Sequence, residues 1–266
     1  GSANGTPSTS TVTARELPRE VTDGDGSHGL RIIRSRARRA SADFEHHGTE
    51  PRALTLAIMA VTRVGFFGPF GTFTQQALRT QPDLDAAEHV AYRTVPDVLD
   101  AVEQGEVDLG VVPIENSIEG MVNFTQDALA FDHELLIQRE IVIDIEHCLL
   151  ARPGVTLADV REVFSIPVAT AQCHRYLREQ LPDAEIRAAY STADAAKQVS
   201  ERSELDAAAL GPRVAAEVYG LDVIASDIAD HRDNQTRFVV VARDGVPAPT
   251  GNDKTALVIY QRADEP

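Results

Sequence analysis

The rhythm of apolar and polar positions changes at Arg63. Residues 1–52 show neither the three-to-four residue spacing of a helix nor the alternation of a strand. Ser, Thr, Gly, Asp and Arg dominate there, so disorder is expected over 1–62. Beyond it, short apolar runs alternate with amphipathic segments. Strands are expected at 64–67, 108–113, 147–151, 185–190, 207–210, 222–225 and 237–241. Tyr92 reads as a short extended step, and 160–164 as a helix end or a strand. Helical spacing marks the stretch from Thr72, then 95–104, 123–130, 169–180, 191–199 and 212–219. Thr72 with Gln75 and Ser191 with Asp194 have capping-box spacing. Pro182 closes one helix, and Pro212 opens another.

This alternation predicts an α/β architecture with mainly parallel sheets. The extended run 135–145 separates two such series and is expected to join two lobes, 63–134 plus 236–243 and 146–233. Lobes of this kind hold ligands in the cleft between them, near helix N-termini. The segment 254–260 reads as one more strand, without a partner, opening a further domain.

The chain has 266 residues, 43% of them hydrophobic, enough for a sizeable core. No apolar run reaches the ~18 to 20 residues of a membrane helix, the longest being 53–61. Cys148 and Cys173 cannot form a disulfide scaffold and fit a reducing, cytoplasmic compartment. No Cys/His spacing suits zinc, so no metal is expected. The net charge is −16 and uneven, with 8 Arg and 7 acids in 1–62 and the whole excess of acid beyond. So acidic a body argues against nucleic acid as a partner, and the arginines at 31, 34, 36, 38 and 39 read as a solvated arm. An anionic ligand must be held locally, by Arg side chains and helix N-termini. Met59, just before the first clear strand, reads as the natural start.

Several blocks could carry chemistry. Gly68-Pro69-Phe70-Gly71-Thr72-Phe73 joins a strand to a helix, and its glycines and free amides suit a carboxylate or phosphate. A plain tight turn is an equal reading, and no P-loop Lys follows. Glu115-Asn116-Ser117 follows a buried strand, where α/β sites place polar groups, although Asn116 or Ser117 could equally cap a helix. Gln172-Cys173 lies at a helix start, and Cys173 alone reads as a small buried hydrophobe. Ser191-Thr192-Ala193 reads chiefly as a cap with anion-binding amides. Asn234-Gln235-Thr236-Arg237-Phe238 enters a strand, so Thr236 and Phe238 should share one face and Arg237 the other.

Together, in this order, these blocks resemble the prephenate dehydratase family over about residues 63–243. The resemblance rests on Gly-Pro-x-Gly-Thr-Phe at 68–73, Pro-Ile-Glu-Asn-Ser at 113–117 with Gly120, and Gln-Cys at 172–173. It rests further on Ser-Thr-Ala at 191–193, Tyr-Gly-Leu at 219–221 and Asn-x-Thr-Arg-Phe at 234–238. It implies a two-lobed, periplasmic-binding-protein-like (type II) fold that converts prephenate to phenylpyruvate, water and carbon dioxide in phenylalanine biosynthesis, without a cofactor. Thr236 would assist the leaving hydroxyl and Arg237 would hold a carboxylate or support the local fold. Gly71, Thr72, Phe73, Asn116, Ser117, Gln172, Cys173, Ser191, Thr192, Ala193 and Asn234 would surround the substrate, Glu115 would organise them, and Phe238 would supply an apolar wall. The resemblance also implies a homodimer. Residues 254–259 match the first strand of the family's ACT domain, and with the rest of that domain not present, phenylalanine feedback is expected to be absent. Alternatives are an arogenate dehydratase, a non-aromatising prephenate decarboxylase, and a non-catalytic small-anion binding protein of the same fold.

Overall fold

The computed structural model describes residues 28–31, 61–245, 248–249, 251, 253–254 and 258–261. The chain divides into two compact units, one from residues 1–34 and 254–266 and one from residues 35–253. The smaller contains strand β1 (His28–Arg31).

The larger unit carries two sheets. Its elements run β2 (Arg63–Phe67), α1 (Phe73–Arg79), α2 (Pro82–Asp85), β3 (Glu88–Tyr92), α3 (Val95–Gln104), β4 (Leu109–Asn116), β5 (Gly120–Met121), α4 (Asn123–Asp127), a π-helical turn Ala128–Asp132, and β6 (Leu136–Asp144). They continue with β7 (Cys148–Ala151), β8 (Glu162–Ser165), α5 (Pro167–Gln172), α6 (His174–Gln180), β9 (Glu185–Ala188), α7 (Thr192–Glu201), β10 (Ala207–Gly211), α8 (Arg213–Tyr219), β11 (Asp222–Ala225) and β12 (Gln235–Ala242). In the smaller unit, β13 (Val258–Gln261) pairs antiparallel with β1, His28 opposite Gln261 and Arg31 opposite Val258. Two expectations change here. The strand expected at 254–260 has a partner, and part of the arm is a strand. Backbone N–H and C=O groups make this ladder, and four residues are too few to display an alternation in side chains. Residues 1–27 and 32–60, Met59 among them, lie outside the described residues.

The first lobe is a sheet of order β3-β2-β4-β12-β6, with β5 against β4. β2, β3 and β4 are parallel, and β12 returns antiparallel between β4 and β6. The second lobe is a sheet of order β11-β7-β10-β8-β9, in which β7 runs against its neighbours. The expected two-lobed, type II arrangement is therefore present. The run 135–145, expected to join the lobes, is mostly edge strand β6 of the first, because its apolar positions pair along β12. The helix expected at 169–180 is two helices. Asp230 breaks it at Cys173: its N–H takes the Gln172 carbonyl at 2.7 Å, and its carboxylate accepts from Arg175 N at 3.1 Å.

Strand alternation builds a core on each face of each sheet. In the first lobe, Val239 and Val241 of β12 pack with Val95, Val98, Leu99 and Val102 of α3. Phe238 and Val240 face the other way, against Ala77 and Leu78 of α1. In the second lobe, Leu149 and Leu210 meet Ala169 and Leu177, while Leu150 and Ala209 meet Ala196, Val199 and Ala215. Helix α3 begins in a reciprocal box between Thr94 and Asp97 and ends on Gly105 at φ 78°. It lies close on β4 because Gly110 has no Cβ: one there would fall 2.8 Å from Val102 and 3.0 Å from Val98. Among the described residues no helix is long and apolar enough to cross a membrane.

Both cysteines are fully buried and free. Burial pushes the Cys173 thiol up to about 12 and the Cys148 thiol to about 11. At pH 8 almost none of either is thiolate. The folded protein is therefore expected to resist iodoacetamide at pH 8 and to take up two alkyl groups once unfolded in urea, read by mass spectrometry. Gly110→Ala is expected to lower stability by about 1–3 kcal/mol, through overpacking of α3 against β4, as measured by urea unfolding.

Candidate active site

Where β4 ends and β12 begins, Asn116 and Thr236 are directly opposed in the antiparallel ladder. This register brings together two residues 120 positions apart in the chain. Thr236 is 9% exposed. Its Oγ accepts a hydrogen bond from Asn116 Nδ2 at 2.8 Å. Asn116 Nδ2 also faces Asn234 Oδ1 at 2.7 Å and the Gln235 carbonyl at 3.2 Å, while its Oδ1 accepts from the backbone amides of Ile118 and Glu119, each at 2.9 Å.

The network continues into the second lobe. Asn234 Nδ2 donates to Gln172 Oε1 at 3.1 Å, and Gln172 Nε2 donates to Glu119 Oε1 at 3.1 Å. A ring closes through Asn116, Asn234, Gln172 and Glu119, spanning both lobes and the hinge strands. Only one assignment of donors satisfies it, since backbone amides can only donate and an ionised carboxylate can only accept. Thr236 Oγ is thus committed as an acceptor on the protein side. Among the described residues no acceptor takes its hydrogen.

His147, just before β7, also reaches this ring through Nε2, 2.8 Å from Gln172 Oε1. It is 3% exposed, and burial pushes its pKa down, against a smaller upward pull from the Gln172 hydrogen bond. Burial thus favours the neutral imidazole. Its ring stands edge-on to Phe73 at 5.5 Å.

Other expected site residues have different surroundings. Arg237 lies on the opposite face of β12 from Thr236, as strand alternation requires. It pairs with Glu115 and Glu140, each at 3.5 Å, and its side chain is 43% exposed. Neither Arg237 nor Glu115 touches the Thr236 network; the two belong to an ion-pair cluster with Glu140, which fits the expected support of the local fold. Phe238 is 2% exposed and sits in the core with Phe66 and Leu78, so it walls no cleft. Cys173 is likewise core, packed with Leu149 and Leu177. Ser117 is spent on the backbone: its hydroxyl donates to Asp233 O and accepts from Gln235 N, both at 2.9 Å.

The glycine loop serves contact between the lobes. Gly71 has φ 86°, and a Cβ there would lie 2.9 Å from the Tyr219 ring and 3.3 Å from Ala215 Cα of α8. Tyr219 Oη donates to the Phe70 carbonyl at 2.9 Å, and Arg79 pairs with Glu217 at 2.8 Å. The open approach at Gly71 is therefore filled by α8. Thr72 caps α1 by accepting from Gln75 N at 3.4 Å, while the Gln75 side chain accepts from Gly71 N at 2.6 Å. Ser191 caps α7, accepting from Asp194 N at 2.9 Å, and Thr192 and Ala193 are buried at its first turn. Their amides find no acceptor among the described residues, and no contact there joins them to Thr236.

Among the described residues, one group has metal-ligand side chains close together: Asp100, Glu103 and His133. His133 Nδ1 lies 3.0 Å from Glu103 and Nε2 3.9 Å from Asp100. None of the three belongs to the Thr236 network.

Sequence reasoning missed His147 and Glu119. His147 carried a signal, a lone polar residue heading an apolar strand. Glu119 lies inside the 113–120 block and was hidden by its neighbours.

Residues 64–246 match the family model described as prephenate dehydratase. A prephenate dehydratase of Amycolatopsis methanolica is 45% identical over 202 residues, covering 74% of this chain and 64% of that protein. The crystal structure of prephenate dehydratase from Arthrobacter aurescens, in complex with L-Phe, superimposes with a TM-score of 0.66 at 42% identity, covering 71% of this chain and 63% of that one. GqqA, described as a novel type of quorum quenching acylase, superimposes with a TM-score of 0.63 at 30% identity, covering 70% and 66%. The chain thus spans just under two-thirds of the length of the curated relatives it matches. With the family model covering more than half of its residues, the chain belongs to the prephenate dehydratase family.

Proposed function

We propose that this chain carries the catalytic part of a prephenate dehydratase, which removes carbon dioxide and water from prephenate to give phenylpyruvate for phenylalanine biosynthesis. The observation that carries the reading is the Thr236 hydroxyl. Asn116 occupies its oxygen from the protein side, which leaves the O–H to be donated to an incoming group. In the reaction the ring carboxylate leaves as carbon dioxide. Its bonding electrons enter the ring as the C–O bond to the ring hydroxyl breaks, and the departing oxygen takes a proton and becomes water. Thr236 is the donor to that oxygen. A threonine hydroxyl is a weak acid, so its preorganised hydrogen bond to the developing negative charge matters more than full proton transfer.

Arg237 is turned to the other face of β12, so the substrate carboxylates fall to the first-turn amides of α1 and α7, where the helix ends carry partial positive charge. Ordering of both lobes around one dianion supplies proximity and orientation. A cytoplasmic homodimer belongs to the same reading, supported by the two free thiols and by family membership. An acylase activity, the one given for GqqA, is less well supported. It calls for a nucleophile beside a general base, and the described neighbour of Thr236 Oγ is an amide donor.

Purified protein is expected to form phenylpyruvate from prephenate, faster than phenylalanine from arogenate. Prephenate consumed without an aromatic product would favour the decarboxylase instead. Thr236→Ala is expected to lose about 10²–10³-fold in kcat with an unchanged circular dichroism spectrum, and Thr236→Ser to keep most activity. Arg237→Gln is expected to cost less than about tenfold in kcat/KM, as an exposed ion-pair cluster contributes little. A larger loss there would return Arg237 to the site.

A further inference from the structure

We infer that His147 is a positioning residue for the reaction, acting on Thr236 through Gln172, Asn234 and Asn116. The inference rests on the proposed role of Thr236 and adds the group that sets its hydrogen-bond partners. The direction of each bond in the chain follows from its two ends. At one end, the amides of Ile118 and Glu119 point at Asn116 Oδ1, so Asn116 must turn its N–H groups toward Thr236 and Asn234, with the Gln235 carbonyl a longer third acceptor at 3.2 Å. At the other, the Glu119 carboxylate accepts from Gln172, so Gln172 must turn its oxygen toward Asn234 and His147. His147 Nε2 therefore carries hydrogen, and Nδ1 carries the lone pair.

Nδ1 is buried and has no partner among the described residues. A charged imidazolium would put an unanswered N–H there, so this site selects the neutral Nε2–H tautomer. Burial displaces the imidazole pKa in the same direction. For stability alone, a buried ring with one unpaired nitrogen is a poor choice beside Phe or Leu. Its contribution is a second anchor on Gln172. Glu119 holds the Gln172 nitrogen from the first lobe, and His147 holds its oxygen from the hinge. With both in place, Gln172 can neither flip nor swing, and the Asn234 and Asn116 carboxamides inherit a single orientation. Phe73 packs edge-on against the imidazole and ties α1 to the same anchor.

The test compares His147→Phe, which keeps the ring against Phe73 and removes the donor, with His147→Gln, whose Nε2 lies the same number of bonds from the backbone. With prephenate, His147→Phe is expected to lose tenfold or more in kcat with KM changed less than about threefold, and His147→Gln to recover most of the loss. Melting temperatures of both should stay close to wild type. Nitrogen NMR on the unsubstituted protein should show His147 as the neutral Nε2–H tautomer at pH 7.5. The Asn116 and Asn234 side-chain amide protons should exchange faster in His147→Phe. Wild-type kcat in His147→Phe, equal losses in both variants, an Nδ1–H tautomer, or unaltered amide exchange would each overturn the inference. Thr236→Ala separates the two proposals. Full activity in Thr236→Ala removes the role given to Thr236. Loss there, alongside a fully active His147→Phe, removes only the role given to His147.

Discussion

The side-chain amide of Asn116 is the constraint on which the site depends. Its oxygen is taken by two backbone amides and its nitrogen by Thr236 and Asn234. With donors only at its oxygen and acceptors only at its nitrogen, the Gln235 carbonyl among them, the carboxamide has one low-energy orientation, since a flip would set donor against donor at its oxygen end. That orientation leaves Thr236 with a free hydrogen. An Asn116→Asp change would keep the shape and remove the donor, which shows how much rests on one nitrogen.

The same network joins the two lobes. Gln172 belongs to the second lobe, Asn116 and Thr236 to the first, and Asn234 and His147 to the segments that cross between them, just before β12 and β7. Apolar packing holds each sheet between its helices, in separate cores. Contacts across the lobes are fewer and more polar: the Gln172 bonds, Tyr219 to the Phe70 carbonyl, and the Arg79–Glu217 pair. An exposed ion pair contributes little by itself. Shape does more at Gly71, where the missing side chain lets α8 approach to van der Waals distance.

The acidic surface sharpens the demands on the site. With an excess of acid this large, a dianionic substrate such as the one proposed would gain nothing from long-range attraction. Arg237 would have been the natural counter-charge, yet it is spent on Glu115 and Glu140. Fixed dipoles remain, the helix N-termini and oriented amides, which need no rearrangement when charge develops.

Most of the fold was legible along the chain. Apolar spacing placed α3, α7, α8 and the buried strands within a few residues, because each buries a periodic face. The split between α5 and α6 was hidden, since it comes from Asp230, far along the chain. So was the place of β6, which reads as a connector until β12 is set beside it. For the candidate site, the order of short blocks identified the family and singled out Thr236, Asn116, Gln172 and Asn234, which the structure joins in one hydrogen-bond network. Alternation along 235–238 already separated Arg237 from Thr236. The sequence could not assign duties within a block. Asn116 and Ser117 are neighbours with similar chemistry, and only the register with β12 makes one a partner of Thr236 and the other a clasp on the backbone. Gly71 packs against α8 and Cys173 lies in a core of the second lobe, contacts that their blocks do not reveal. His147 entered by proximity alone. Local sequence determines periodicity, caps and turns, because these depend on neighbours within a few residues. Hydrogen-bond direction and the facing of a side chain depend on partners more than a hundred residues away, and only the tertiary structure supplies them.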